Sequence, residues 1–83
     1  MSQVWYLYIL ECSDGSLYTG ISTNVEKRLK KHNEGKGSKY VASRRPARVV
    51  HVELCGSKSR ALQRECAIKS LRRKDKLKII ESR

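Results

Sequence analysis

Residues 4–22 read VWYLYILECSDGSLYTGIS, with two apolar runs on either side of an Asp-Gly pair. In residues 4–11 aromatic and branched side chains occupy both alternating faces, which predicts a central strand that is covered on both sides. The Asp-Gly pair suits a tight hairpin, and residues 17–22 are predicted to return as the second strand. A β-hairpin therefore opens the predicted fold.

The segment after the hairpin has the pattern of a helix followed by a basic loop. Thr23 and Glu26 have the spacing of a capping box, which predicts a helix to about Asn33. Residues 33–46 contain two glycines and end on a proline, so they are predicted to form a loop. The cations of this loop are Lys36, Lys39, Arg44 and Arg45.

Residues 47–54 have the alternation of a third strand. The predicted faces carry Val50, Val52 and Leu54 on one side and Val49 and His51 on the other.

The last third of the chain predicts two helices. Ser57 or Ser59 can cap a helix that runs to about residue 72, and residues 75–81 suit a short final helix. The main apolar residues of the longer helix are Leu62, Ile68 and Leu71. The order ββαβαα, an antiparallel sheet flanked by helices, places the chain in the α+β class.

The chain has 83 residues and a net charge of +11, from nineteen Lys and Arg against eight Asp and Glu. A chain this short is expected to form one domain, residues 1–83, because it buries only about 60% of its unfolded surface. All the cations follow Glu26, so the later elements must build the basic surface. Such a charge favours nucleic acid as the partner, although ribosome-associated and generally adhesive proteins are equally basic.

Three cysteines, Cys12, Cys55 and Cys66, are an odd number without C-x-x-C spacing, which argues against a disulfide framework or a zinc ribbon. The scattered positions of His32 and His51 give no support to a metal site with these thiols. The N-terminus has no charged leader, and VWYLYIL is too short to span a bilayer. We therefore expect a cytoplasmic protein with reduced thiols and no membrane contact.

Tyrosines of the predicted hairpin share common faces. Tyr18 and Gly20 are two residues apart on one strand, as Tyr6 and Tyr8 are on the other. Aromatic packing between strands is sufficient to explain this grouping, and the pattern alone favours packing over a site.

Arg28 and His32 are four residues apart on the first helix, at the margin of the stripe formed by Val25 and Leu29. A guanidinium there can hold a phosphate through two hydrogen bonds, and an imidazole can move a proton or bind the same phosphate. Equally, Arg28 can lay its stem over the core with its head in water, and the pattern alone favours this second role.

Glu65 projects from the apolar face of its helix, between Ala61 and Ile68. A buried carboxylate needs a partner because an unpaired buried charge is costly. Lys69 at i+4 is the structural candidate, in a pair worth about 0.2–0.5 kcal/mol. The other candidates are an arginine from elsewhere and a divalent metal ion bound opposite Arg28.

Taken together, these positions resemble the GIY-YIG nuclease superfamily, in particular its small single-domain proteins of uncharacterised role. The resemblance covers nearly the whole chain. YLY at residues 6–8 stands where the family has Gly-Ile-Tyr, and YTG at residues 18–20 stands where it has Tyr-Ile-Gly. Three further residues follow with the family's order and spacing: Arg28, His32 and Glu65.

The resemblance implies a three-stranded antiparallel sheet and hydrolysis of a DNA phosphodiester with one divalent metal ion, Mg²⁺ or Mn²⁺. It implies that Glu65 binds the metal and that Arg28 stabilises the pentavalent phosphate. Tyr8 or Tyr18 would be the phenol that activates water, and His32 occupies a position that the family fills with His or Tyr. We expect the following residues to contact nucleic acid: Gly20, Lys31, Lys36, Lys39, Arg44, Arg45 and Lys69.

Three departures from the family pattern bear on activity. Tyr6 replaces the glycine of the first motif, and Ile21 stands where repair nucleases of the family have a lysine. No asparagine after the glutamate helix matches the one that many members carry. No separate DNA-binding domain is evident, so we expect weak cutting, a preference for branched or damaged DNA, or a protein partner that supplies specificity.

The leading hypothesis is a metal-dependent endonuclease, structure-selective or nonspecific, that acts on DNA in preference to RNA. The alternative is a non-catalytic nucleic-acid-binding module with the same fold. The five catalytic positions favour the enzyme, whereas the missing lysine, asparagine and targeting domain favour the binding module. A third hypothesis, a structural part of a ribonucleoprotein, predicts a preference for RNA.

Overall fold

The structure is a computed structural model, which describes residues 3–81. Its elements in chain order are β1 (Trp5–Glu11), β2 (Leu17–Ser22), α1 (Val25–Asn33), α2 (Lys39–Ala42), β3 (Arg48–Gly56), α3 (Lys58–Lys69) and α4 (Arg73–Glu81). The strand order is β2-β1-β3, and both pairings are antiparallel. The predicted α+β class, with a three-stranded antiparallel sheet and helices around it, is therefore confirmed.

The central strand, β1, is buried on both faces. Leu7, Tyr8, Ile9 and Leu10 are each at most 1% exposed, as apolar side chains at both alternating positions predict. Tyr8 and Leu10 pack toward α1 and α2. Leu7 and Ile9 pack against Ile68 of α3. Tyr8 is therefore fixed on the α1 side of the sheet.

The turn between β1 and β2 forms at the Asp-Gly pair. Gly15 has a φ of 84°, which glycine adopts without the steric cost that a side chain brings. The Asp14 carboxylate accepts hydrogen bonds from the Ser16 N–H at 3.0 Å and from the Ser16 hydroxyl at 2.6 Å. The predicted hairpin is therefore confirmed.

The N-cap of α1 is Asn24 and not the predicted Thr23. Asn24 has an extended backbone, and its side-chain oxygen accepts from the N–H of Lys27 at 3.0 Å. The Ser22 hydroxyl accepts from the Asn24 N–H at 3.0 Å and holds the cap residue in place. The predicted capping box is wrong because asparagine is at least as good a cap as threonine and stands next to the helix.

We expect Asn24→Ala to lower the free energy of unfolding by about 1 kcal/mol, because the Lys27 N–H loses its acceptor. Thr23→Ala is the matched control and should change this free energy by less than about 0.5 kcal/mol. Urea unfolding followed by circular dichroism compares the two variants. Equal losses would contradict the assignment of Asn24 as the cap.

The predicted basic loop contains a short helix, α2. The Ser38 hydroxyl caps this helix by accepting from the Tyr40 N–H at 3.1 Å, and Val41 is fully buried. The Asn33 side chain donates to the Ala47 carbonyl at 2.9 Å and accepts from the Ala47 N–H at 2.8 Å. The segment is therefore held against the core. The prediction of a loop missed this helix because Ser38 as a cap and Val41 as the one buried apolar residue are weak signals.

A bulge in β3 changes which side chains face which helices. The pairing with β1 shifts between Ile9 and Leu10, so Val50 is the additional residue. Val50 packs on the α3 side, whereas Val49 packs on the α1 side. The prediction that put Val50 on the face of Val52 is wrong because the bulge interrupts the alternation.

α3 begins after Ser57, one of the two predicted caps. The Ser57 hydroxyl accepts from the Arg60 N–H at 3.2 Å. Ala61 and Ile68 are fully buried, whereas Leu62 is exposed. Of the three main apolar residues predicted for this helix, Ile68 is thus buried, Leu62 is exposed, and Leu71 lies beyond the end of α3 at Lys69.

The ends of the last two helices differ from the predicted ends. α3 stops at Lys69 instead of residue 72, and α4 starts at Arg73 instead of residue 75. The Ser70 hydroxyl donates to the Ala67 carbonyl at 2.8 Å, and such local bonds compete with helix continuation.

Among residues 3–81 no helix is long and apolar enough to cross a membrane.

Candidate active site

A buried tyrosine-histidine pair lies between β1 and α1. The Tyr8 hydroxyl and the His32 Nε2 are 3.0 Å apart, and each residue is only 1% exposed. The central strand supplies Tyr8, and the last turn of α1 supplies His32. Two predicted site residues are therefore in direct contact.

Gly20 lies opposite Tyr8 on β2 and leaves room for the phenol. A Cβ at Gly20 would stand 2.5 Å from the Tyr8 Oη and 2.7 Å from its Cζ. Gly20 is itself buried. The Tyr8 ring therefore occupies the space that a side chain at Gly20 would need. Contact between Gly20 and nucleic acid stays a prediction.

We expect Gly20→Ala to lower the free energy of unfolding by about 1–3 kcal/mol, because the new methyl group forces the buried Tyr8 ring to move. In a Tyr8→Leu background, which removes the ring, the same substitution should cost clearly less. Chemical denaturation of the four proteins gives the coupling energy. Equal costs in both backgrounds would show that the ring is not what Gly20 accommodates.

Gly37 makes the corresponding room for His32. A Cβ at Gly37 would overlap the His32 ring at Nδ1, Cε1 and Cγ. The sequence reasoning did not select Gly37. In the sequence Gly37 is only the second glycine of GKGS at residues 35–38, and nothing in that pattern indicates a contact with His32.

The imidazole of His32 is held in its neutral form. Burial, and then the charge of Arg28, lower the pKa of His32 below its ordinary value of 6.5. The His32 Nδ1 is buried and has no hydrogen-bond partner within residues 3–81. In the tautomer with its proton on Nδ1, the ring accepts the Tyr8 hydroxyl proton at Nε2.

We expect the folded protein to lose stability as the pH falls below about 6.5, because unfolded His32 takes up a proton that folded His32 excludes. The folded pKa is depressed, so this contribution is complete above the unfolded pKa and declines below it. His32→Gln, which stays neutral, should show a flatter pH dependence of urea unfolding. A His32 ring that titrates at or above 6.5 by NMR would contradict this expectation.

Three predicted site residues affect the pKa of the Tyr8 hydroxyl. Burial raises the pKa of Tyr8 to about 12, Arg28 lowers it, and the charges of Tyr18 and Glu65 add to the rise. The phenol is therefore protonated at neutral pH. The contribution of Glu65 is the smallest of the three, because α3 packs on the opposite face of β1, against Leu7 and Ile9.

Tyr18 lies on the same face of the hairpin as Tyr8 and also contacts His32. The Tyr18 and His32 rings meet edge to face, with centroids 5.3 Å apart. Tyr18 stacks on Tyr40 of α2 at 6.1 Å, and the Arg44 guanidinium lies 3.8 Å from the Tyr40 ring centroid. Tyr40 was not selected from the sequence, in which it is one tyrosine within a basic segment.

Glu65 is 21% exposed, and its carboxylate lies 3.4 Å from the Lys69 ammonium. The structural partner that the i+4 spacing predicts therefore forms. Residues 3–81 contain no group of three or more His, Cys, Asp or Glu side chains that could hold a metal. A hard carboxylate oxygen nevertheless fits Mg²⁺, which is commonly held by one or two carboxylates together with water and substrate phosphate.

Arg28 is exposed on α1 and lines a polar groove of about 170 Å³. The lining residues are Ser22, Thr23, Asn24, Lys27, Arg28 and Lys31. Three of these six are cations, so the groove favours an anion. The fold therefore brings Lys31, a predicted nucleic-acid contact, beside Arg28.

The other predicted contact residues have different surroundings. Lys36 and Lys39 are exposed. Arg44 pairs with Asp14 at 3.2 Å, and Arg45 donates to two backbone carbonyls at 2.8 and 3.4 Å. The two arginines therefore help to hold the segment around α2 in place, and their contact with nucleic acid stays a prediction.

Comparison with known proteins is consistent with this geometry. Residues 4–78 match the GIY-YIG catalytic domain. A UPF0213 protein of Staphylococcus haemolyticus is 54% identical over 78 residues, which is 94% of this chain and 95% of that protein. A UPF0213 protein of Syntrophus aciditrophicus is 54% identical over 77 residues, which is 92% of this chain and 88% of that protein.

Two solved structures share the fold. The solution NMR structure of a UPF0213 protein from Bacillus halodurans is 43% identical, with a TM-score of 0.64, over 98% of this chain and 86% of that chain. The solution NMR structure of a protein from E. faecalis is 41% identical, with a TM-score of 0.67 and the same coverage. The predicted resemblance is confirmed, and the chain belongs to the GIY-YIG family, among relatives that are UPF0213 proteins.

Proposed function

We propose that the chain, as one domain of residues 1–83, is a divalent-metal-dependent endonuclease that hydrolyses DNA phosphodiesters. Membership in the GIY-YIG family supports a nuclease and a nucleic-acid substrate. The observation that carries the proposal is the buried Tyr8–His32 pair, in which Tyr8 Oη and His32 Nε2 are 3.0 Å apart and the charge of Arg28 acts to lower the pKa of both residues.

Arg28 is the proposed ligand of the scissile phosphate. Its guanidinium lines a cationic groove at the surface, where it can hold two phosphate oxygens at once. A fixed cation is most effective where negative charge develops in the transition state. Because the same charge lowers the pKa of the Tyr8 phenol, which burial keeps raised, Arg28 would serve both the phosphate and the proton acceptor.

Glu65 is the proposed ligand of Mg²⁺ or Mn²⁺. A divalent cation at this position would supply neutralising charge to the phosphate oxygens. Lys69 pairs with the same carboxylate at 3.4 Å. Metal binding at Glu65 would therefore compete with the Lys69 ammonium, and removal of Lys69 should strengthen it.

Tyr8 is the proposed acceptor of a proton from the attacking water, in preference to Tyr18. The Tyr8 Oη is bonded to the His32 Nε2 at 3.0 Å, so the phenol can pass its own proton to the neutral imidazole in the same step in which it takes the proton of the water. Tyr18 contacts His32 only through ring edges. The charge of Arg28 favours the phenolate, which burial otherwise disfavours.

Cleavage by the purified protein tests the proposal. Labelled branched, single-stranded and duplex DNA are incubated with Mg²⁺ or Mn²⁺, and in parallel with a chelator. We expect cutting with metal, none with the chelator, and recovery when metal is restored. A protein that binds DNA with a steep salt dependence but cuts none of these substrates is a binding module, and a clear preference for RNA would point to a ribonucleoprotein part.

A further inference from the structure

We propose that Tyr40 and Arg44 form a stacking site for an unpaired nucleobase beside the phosphate that Arg28 holds. The position of that phosphate rests on the proposed nuclease function. The stacking itself concerns binding, so it can be measured in a protein that does not cut. The proposal thus gives the site a substrate class: DNA with at least one unpaired nucleotide at the bound position.

Four planar side chains, those of His32, Tyr18, Tyr40 and Arg44, form a continuous row that leads away from Tyr8. Tyr18 meets His32 at 5.3 Å, Tyr40 stacks on Tyr18 at 6.1 Å with an interplanar angle of 26°, and Arg44 lies 3.8 Å from the Tyr40 centroid. The inner end of this row is buried. Its outer end is open, because Tyr40 is 39% exposed and the Arg44 side chain is 34% exposed.

The outer end of the row is held in position by contacts of its own. The Arg44 Nε lies 3.2 Å from the Asp14 carboxylate, and its Nη1 donates to the Tyr40 carbonyl at 2.9 Å and to the Ser43 hydroxyl at 3.1 Å. Val41, next to Tyr40, is fully buried and anchors α2. A planar group that is already ordered loses little entropy when a ligand stacks on it.

The chemistry of the row selects an unpaired base. Aromatic rings and guanidinium planes are the groups on which single-stranded bases stack in proteins. Inside a duplex, neighbouring bases cover both faces of each base, so the row offers a gain only to a base that has left the stack. Any base has such a face, and the site should therefore tolerate sequence and recognise structure.

Packing within the segment around α2 is the competing explanation of the Tyr40–Arg44 contact. It accounts for the hydrogen bonds of Arg44, and it predicts that removal of Tyr40 changes stability. It does not predict that removal of Tyr40 changes the choice between an unpaired and a paired base. That choice is the property to measure.

The experiment uses Glu65→Gln protein, which we expect to bind DNA without cutting it. One probe is a duplex with a short single-stranded overhang whose first unpaired base is 2-aminopurine, and the other is a blunt duplex with the same base in a pair. We expect quenching of the unpaired probe and about 5- to 100-fold tighter binding of the overhang. Tyr40→Leu and Arg44→Met should each lose most of this ratio.

Matched variants separate stacking from charge and folding. Tyr40→Phe keeps the ring and should keep the ratio, and Arg44→Lys keeps the charge without the plane and should lose part of it. Arg60→Met removes an exposed cation of α3 and should weaken both probes equally. An unchanged ratio in folded Tyr40→Leu overturns the proposal, as does an equal weakening of both probes. If the wild-type protein cleaves no DNA, the nuclease proposal fails, whereas the ratio of affinities for the overhang and the blunt duplex still tests the stacking site.

Discussion

Glu65→Gln is expected to lower the rate of DNA cleavage by about a thousandfold or more. A divalent cation contributes several kcal/mol of charge stabilisation to phosphoryl transfer, and each 1.36 kcal/mol changes the rate about tenfold. Glutamine keeps the shape of the side chain but loses the negative charge that holds the cation. DNA binding should persist, because the substitution removes a negative charge and leaves the cations of the groove unchanged.

Single-turnover cleavage, with the protein at a saturating concentration in excess over the DNA, measures this loss. Glu34→Gln is the matched control, since Glu34 is an exposed carboxylate at the C-terminal end of α1, and its rate should stay close to that of the wild type. Lys69→Met adds a second readout. Because the Lys69 ammonium pairs with Glu65, its removal should lower the Mg²⁺ concentration that gives half-maximal cleavage.

The structural role of Glu65 predicts different results. If the carboxylate served only its ion pair with Lys69, Glu65→Gln and Lys69→Met would have similar small effects on stability and none on metal dependence. Full activity of Glu65→Gln in Mg²⁺ would therefore remove Glu65 from the metal site.

Arg28→Ala is expected to lower the cleavage rate by about a hundred- to a thousandfold, the usual cost of removing one group that stabilises the transition-state anion. Arg28→Lys should recover part of the rate, because lysine keeps the charge but cannot form the two parallel hydrogen bonds of a guanidinium. Lys27→Ala, which removes another cation of the same groove, should act mainly on affinity.

The pH profile distinguishes Arg28 from an ordinary phosphate contact. The Arg28 charge lowers the pKa of Tyr8 and of His32, so its removal raises both. In Arg28→Ala, His32 becomes protonated at higher pH. The acid limb of the pH–rate profile should therefore shift to higher pH. Formation of the Tyr8 phenolate should also need higher pH. A loss of affinity with an unchanged profile would restrict Arg28 to gripping the backbone.

Much of the fold follows from local patterns. The hairpin, the two-sided burial of β1 and the order of the longer helices were predicted because alternation, helical periodicity and turn residues are properties of neighbouring residues. The errors lie where two local signals compete or are weak. Asn24 displaced Thr23 as the cap of α1, and α2 formed within a segment that has only Ser38 and Val41 to indicate it.

The candidate site was predicted as a set of residue types at family spacings. The resemblance to the GIY-YIG family selected Tyr8, Tyr18, Arg28, His32 and Glu65 as candidates. The residue patterns alone favoured packing for the tyrosines and a structural role for Arg28. The sequence did not indicate that Tyr8 and Tyr18 differ, since both are tyrosines of one hairpin. The bond to His32 and the burial of Tyr8 separate them.

Only the tertiary structure decided which distant residues meet. Gly37 accommodates His32, and Tyr40 and Arg44 extend the row from Tyr18, because the segment around α2 folds back beside the hairpin. The shifted pKa values of Tyr8 and His32 arise from burial and from charges on other elements. Both depend on distances in space between residues far apart along the chain, and a local sequence pattern does not contain those distances.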